Sequence, residues 1–149
     1  SIKDFKSKTS LNSRLLGIDH GNKNIGIAIC DENQVIATPL TTLYRAKFEN
    51  LLNEIKEIII ENNVKGIVVG NPINMDGSLS ASSQSANDFS KNLSKYITIP
   101  ITLWDERLSS EGSFKITKDL GINTSKRVKK LDQNAAAFIL QGAIDYISN

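Results

Sequence analysis

The stretch over residues 15–29 constrains this chain most, because it combines two apolar strands, a tight turn and one carboxylate. Apolar side chains dominate positions 15–18 and 25–29, and the Gly, Asn and Lys residues between them are typical of a turn. Asp19 closes the first strand, where a carboxylate without a partner would be costly to bury. Asp19 therefore either caps its own turn or needs hydrogen bonds, a cation or a metal ion.

The length and composition predict one globular domain over residues 14–149, preceded by a loose tail over residues 1–13. The chain has 149 residues, of which 40% are hydrophobic and 23% charged. Its single cysteine, Cys30, excludes an intrachain disulfide and fits a reducing compartment. No apolar run approaches the roughly 20 residues that a membrane helix needs, so we expect an intracellular protein without membrane contact.

The hydrophobic pattern predicts an α/β fold with a mixed sheet. Three strands with short links form an antiparallel meander, and an amphipathic helix then leads into a wholly apolar strand that is expected to be parallel. The predicted strands are 14–19, 24–30, 35–38, 66–70 and 99–104, and the predicted helices are 46–62, 83–96, 109–120 and 132–147. Helices therefore cover both faces of the sheet, and sites are expected at the carboxyl ends of the strands.

Three carboxylates are candidates to converge there. Asp105 and Glu106 follow the last strand, and alternation sends them to opposite faces, so one of them is expected to join Asp19. The other would pair with Arg107 or cap the next helix. Asp132 begins the last predicted helix, on the side that carries its small apolar residues, and its alternative role is an N-cap.

Three carboxylates favour a hard cation. Oxygen-rich sites suit Mg²⁺ or Mn²⁺, and two such ions about 4 Å apart can activate water and stabilise the leaving oxygen of a phosphodiester.

The charge distribution adds a possible phosphate-binding segment. The net charge is only +2, but seven basic residues lie between positions 107 and 130, opposed by Glu111 and Asp119 alone. Such a local excess of positive charge is typical of a surface that binds a phosphate backbone. The alternative is a solvated helix face followed by a basic loop over residues 121–130.

The motifs together resemble the YqgF/RuvX family of RNase H-fold nucleases, which are related to Holliday-junction resolvases and linked to maturation of 16S ribosomal RNA. Four blocks carry the resemblance, over residues 17–28, 69–78, 105–110 and 130–141, and they span nearly the whole chain. Two positions depart from the family pattern: Asn71 replaces the usual Leu, and His20 replaces an apolar or aromatic residue.

The resemblance implies a metal-binding catalytic set of Asp19, Glu106 and Asp132, with Asp105 as the fallback for Glu106. It also implies dependence on Mg²⁺ or Mn²⁺, a cytoplasmic bacterial protein, and a structured nucleic-acid substrate, which we expect to be a ribosomal RNA precursor or branched DNA. The expected phosphate contacts are Lys23, Arg107, Lys126, Arg127, Lys129 and Lys130. His20, as a proton shuttle or an exposed turn residue, and Asn74 are possible accessory residues, and a monomer or a homodimer is expected.

Two other functions remain open from the sequence. One is a non-catalytic nucleic-acid-binding module with the same fold. The other is a phosphate-handling ATPase related to actin and sugar kinases, whose opening motif resembles Asp19-His20-Gly21.

Overall fold

A computed structural model describes residues 2–8, 13–21, 23–108 and 124–148 of the chain. The side chains of Lys3, Ser7, Lys8 and residues 124–133 lie outside this description. The predicted helix over residues 109–120 also lies outside the described residues.

In the described part of the chain, five strands form one mixed sheet in the order β3-β2-β1-β4-β5. β2 pairs antiparallel with β1 and with β3, whereas β4 is parallel to both β1 and β5. The strands are β1 (Arg14–His20), β2 (Asn24–Cys30), β3 (Ala37–Tyr44), β4 (Val64–Asn71) and β5 (Ile101–Asp105). This arrangement confirms the predicted mixed sheet with a three-strand meander.

The helices cover both faces of the sheet, as predicted. They are α1 (Ile2–Lys8), α2 (Phe48–Asn62), α3 (Ala81–Tyr96) and α4 (Thr124–Ser148), and a short 3₁₀ helix over Glu106–Leu108 follows β5. One hydrophobic cluster joins the sheet to α2 and α3, and a second joins it to α1 and α4. Among the described residues, no helix combines the length and the apolar character needed to cross a membrane.

Strand alternation assigns each side chain of β1 to one of these two clusters. Leu16 and Ile18 belong to the cluster under α2 and α3, whereas Leu15 belongs to the cluster under α4. Of the last two residues of β1, Asp19 therefore lies on the α4 face and His20 on the α2/α3 face.

The loose tail predicted for residues 1–13 is wrong over Ile2–Lys8, which form α1. Phe5 is only 3% exposed and packs into the cluster under α4, while Lys6 Nζ donates to the carbonyl of Ile147 at 2.7 Å. The short segment shows no clear periodicity, so its docking partner on the last helix could not be found from local sequence.

Two other predicted boundaries are corrected. The third strand is longer and later than the predicted 35–38, because Val35 and Ile36 lie exposed in the preceding turn. The basic loop predicted over 121–130 is helical from Thr124, so Lys126, Arg127, Lys129 and Lys130 belong to the first turns of α4. Lys and Arg are good helix formers, and a basic run is therefore compatible with either state.

Candidate nuclease site

Two acidic side chains meet at the carboxyl end of the sheet on the α4 face. Asp19 is the second-last residue of β1. Glu106 directly follows β5 and lies on the same side of the sheet as Trp104, which belongs to the cluster under α4. β4 separates the two strands, and Gly70 near its end leaves room: a Cβ on Gly70 would collide with Ile139 Cδ1 and would lie 3.3 Å from the Glu106 carboxyl carbon. The missing side chain therefore allows both Ile139 of α4 and Glu106 to approach the end of β4.

The electrostatics of Glu106 reflect this position. Burial and the nearby negative charge of Asp19, with a smaller effect of Asp105, raise the pKa of Glu106 from 4.5 to about 7. The ionised form of Glu106 is disfavoured because a second carboxylate lies close by in a partly desolvated pocket. A cation between the two groups would remove this penalty.

Asp105 points away from this pair and has a different partner. Its Oδ2 accepts from Arg107 Nη2 at 2.7 Å, and its Oδ1 accepts from Arg107 Nε at 3.0 Å. These bonds, together with the Arg107 backbone N–H, hold the pKa of Asp105 below its ordinary value. Of the two alternatives that the sequence left open, the structure brings Glu106 near Asp19 and pairs Asp105 with Arg107.

The third predicted carboxylate, Asp132, lies outside the described side chains. Its position belongs to α4, one helical turn before Ala136. α4 approaches the sheet closely at Gly17, where a Cβ would lie 2.7 Å from Leu140 Cβ and 2.9 Å from the Ala136 carbonyl oxygen. Within the described part of the chain, no three His, Cys, Asp or Glu residues form a metal-binding cluster.

His20 lies in a groove on the opposite face of the sheet. Its ring stacks on Phe89 of α3, with centroids 4.5 Å apart and an interplanar angle of 17°, and Nδ1 lies 3.3 Å from Ser85 Oγ. Burial and the charge of Arg45 lower the pKa of His20 to about 4, so the ring is neutral near pH 7. The role of His20 as a proton shuttle stays a prediction. The structure places the His20 ring in contact with α3.

The loop after β4 holds Asn74 in local hydrogen bonds. Asn74 Nδ2 donates to Ser78 Oγ at 3.0 Å, and Ser78 Oγ in turn donates to Asp76 Oδ1 at 2.6 Å. Asn71, one of the departures from the family pattern, accepts from Ser83 Oγ at 2.6 Å and so ties the strand end to α3. The loop is thus internally bonded, and Asn74 faces solvent at its tip.

The predicted phosphate contacts separate into two groups. Lys23 is exposed in the turn between β1 and β2, and Arg107, although bonded to Asp105, stays one-third exposed. The four basic residues of α4 have no described side chains. The sequence did not single out Arg45 and Ser85, which line the groove around His20. The sequence signal that could have indicated this groove is Arg45, a basic residue directly after β3.

Comparisons with known proteins agree with this arrangement. The family model described as "RuvX: Holliday junction resolvase" matches residues 13–146. A Pelagibacter ubique protein named "Putative pre-16S rRNA nuclease" is 55% identical over all of this chain and 99% of its own length. A protein of the same name from Rhodobacter capsulatus is 39% identical over 98% of this chain and 92% of its own length.

Solved structures give the same fold. RuvC of T. thermophilus in complex with a Holliday junction substrate has a TM-score of 0.58, covering 92% of this chain and 96% of that one at 12% identity. The yeast mitochondrial Holliday junction resolvase Ydc2 has a TM-score of 0.53, covering 99% of this chain and 84% of that one at 12% identity. At such identities the likeness establishes the fold, which is the RNase H-like fold expected from the motifs.

Proposed function

Because this chain belongs to the RuvX family, it is a nuclease, and we propose that it cleaves precursors of 16S ribosomal RNA at a divalent-metal centre built on Asp19 and Glu106. The observation that carries the proposal is the approach of these two carboxylates at the carboxyl end of the sheet. The names of the relatives support ribosomal RNA as the substrate, and such a substrate would place the protein in the bacterial cytoplasm.

The donor set fits Mg²⁺ or Mn²⁺. Two carboxylates supply hard oxygen ligands. Burial and the charge of Asp19 together raise the pKa of Glu106, and a bound cation would relieve this cost of ionisation. Asp19 and Glu106 would hold the metal, and we propose Asp132 as the third ligand because its helix packs against β1. When bound, the metal would activate water and neutralise charge on the phosphate.

The protein's own residues would orient the substrate. Asp19 lies near the end of β1, and Glu106 begins the 3₁₀ helix that directly follows β5, so the sheet would position both carboxylates before the substrate binds. Lys23 and Arg107 would contact phosphates on either side of the acidic pair, and α4 would add Lys126, Arg127, Lys129 and Lys130. Binding that depends on these contacts should weaken as the salt concentration rises.

The direct test compares cleavage by the wild type and by Asp19→Asn. Labelled 16S precursor RNA and a four-way DNA junction are incubated with each protein in Mn²⁺, and Glu54→Gln, an exposed acid on α2, serves as the matched control. Loss of a metal ligand should lower the rate more than about 100-fold, since loss of groups that only orient ligands already costs about 10–100-fold. Glu54→Gln should cleave like the wild type.

The outcomes separate the alternatives. Equal activity of the wild type and Asp19→Asn would refute the proposed centre. Salt-sensitive binding without any turnover in the wild type would favour the non-catalytic module. Cleavage of the junction but not of the RNA would replace the proposed substrate. The ATPase alternative loses its basis because the matched family is one of resolvases.

A further inference from the structure

The groove that contains His20, here called the His20 groove, is a second candidate site on the α2/α3 face. It encloses about 430 Å³, which lies within the range of about 300–1,000 Å³ that is usual for ligand sites. β1, the segment before α2, the start of α2, and α3 form its walls. The residues that matter here are His20, Arg45, Phe48, Gln84, Asp88 and Phe89.

Aromatic rings form one side of this groove. His20 and Phe89 are stacked, and Phe48 meets Phe89 edge-on at a centroid distance of 6.3 Å. Phe89 is 5% exposed and belongs to the hydrophobic cluster under α2 and α3, so it supports the His20 ring from the core. His20 and Phe48 are only partly buried, and the parts of their rings that reach the groove suit stacking with a nucleobase, because every base offers a π face.

The polar groups of the groove suit the remaining parts of a nucleotide. Arg45 is exposed and is directed by weak contacts of 3.4 Å to the Gly21 carbonyl and to Ser85 Oγ, so its guanidinium lies at the mouth of the groove. Gln84 and Asp88 lie on the α3 wall, where an amide and a carboxylate can bond the edge of a base. The carboxylate would repel a phosphate, which places the anionic part of a ligand beside Arg45.

The position of the groove connects it to the acidic pair. His20 is the residue after Asp19, and the two side chains leave β1 on opposite faces. A nucleic-acid strand that crosses the end of β1 would therefore present one phosphate to the α4 face and the neighbouring base to the α2/α3 face. A base can enter the groove only when it is free of a pairing partner.

We infer that the His20 groove binds the base of an unpaired nucleotide next to the phosphate that is cleaved, with Arg45 on the phosphate of that nucleotide. This inference rests on the proposed nuclease function and adds a preference for single-stranded segments of the substrate. The groove would select cleavage positions by the absence of base pairing, whereas the basic residues contact any phosphate backbone.

The test measures binding and not cleavage. Every protein carries Asp19→Asn so that the RNA stays intact, and fluorescence anisotropy reports the affinity for a single-stranded RNA of about eight nucleotides and for a blunt duplex of the same sequence. Gln84→Trp fills the groove from an exposed position, and Arg45→Gln removes its charge. Ser82→Trp, exposed on the same helix but outside the groove lining, is the matched control.

Both groove variants should weaken single-strand binding about 5- to 20-fold, while duplex binding changes less than about twofold. Ser82→Trp should leave both affinities unchanged, and circular dichroism confirms that each variant is folded. An equal loss of affinity for the single strand and the duplex would overturn the inference. So would an unchanged affinity of either groove variant for the single strand. Full competition by nucleoside monophosphates at micromolar concentration would overturn the assignment to a substrate strand. If the groove variants bind RNA as the control does, the wild type can still cleave RNA when it is compared with Asp19→Asn. The two proposals can therefore fail separately.

Discussion

The substitution Glu106→Gln should stabilise the metal-free protein at pH 8 but not at pH 5. The pKa of Glu106 is raised in the folded state from 4.5 to about 7, so the folded protein binds its proton more tightly than the unfolded chain does. The stability contributed by the protonated group is complete below about pH 4.5 and is lost as the pH rises through about 7. At pH 8 the ionised Glu106 therefore opposes folding, and the neutral amide removes that cost.

The magnitude follows from the pKa difference. A shift of this size corresponds to about 3 kcal/mol. Because the Glu106 side chain is only half-buried, solvent screening reduces the expected gain at pH 8 to about 1–2 kcal/mol. At pH 5, where wild-type Glu106 is mostly protonated in the folded state, the two proteins should differ by less than about 0.5 kcal/mol.

Urea unfolding in EDTA at pH 5 and pH 8 measures this difference. The matched control is Asp105→Asn, because the pKa of that neighbouring carboxyl is lowered by Arg107 and its contribution has the opposite sign. Asp105→Asn should destabilise by less than about 1 kcal/mol at pH 8, with the loss shrinking as the pH falls. Adding Mg²⁺ at pH 8 should stabilise the wild type and have little effect on Glu106→Gln. A variant Glu106→Gln that is less stable than the wild type at pH 8 would refute the conclusion that burial and the charge of Asp19 disfavour the ionised form of Glu106.

Two further predictions concern the packing on the α4 face. Gly17→Ala should lower the free energy of unfolding by about 1–3 kcal/mol in thermal or urea denaturation, because the added Cβ would lie 2.7 Å from Leu140 Cβ and 2.9 Å from a backbone oxygen; an unchanged midpoint would show that α4 does not pack as described. Cys30 should react with a thiol reagent only after denaturant is added, since it is 3% exposed and burial raises its thiol pKa; rapid labelling of the native protein would contradict this.

Much of the fold followed from local pattern. The alternation over residues 15–29 and the apolar run over residues 66–70 defined three strands, and the helical spacing over residues 46–62 defined α2 to within two residues at its start. These segments are predictable because burial against one sheet face imposes a period of 2 or 3.6 on the sequence. α1 was missed because Phe5, the buried anchor among the described side chains of this helix, gains its partners from β5 and α4, which lie far away in the sequence.

The sequence by itself determined which chemistry was available: carboxylates at strand ends, basic residues for phosphates, and one histidine after Asp19. The tertiary structure decided which of these groups meet. It set Glu106 beside Asp19 and Asp105 beside Arg107. This pairing depends on the register in which β4 pairs with β1 on one side and with β5 on the other. It also placed His20 against Phe89, 69 positions along the chain, because α3 packs on the α2/α3 face of the sheet. Contacts between residues so distant in sequence arise from sheet register and helix packing, and local residue preferences do not encode them.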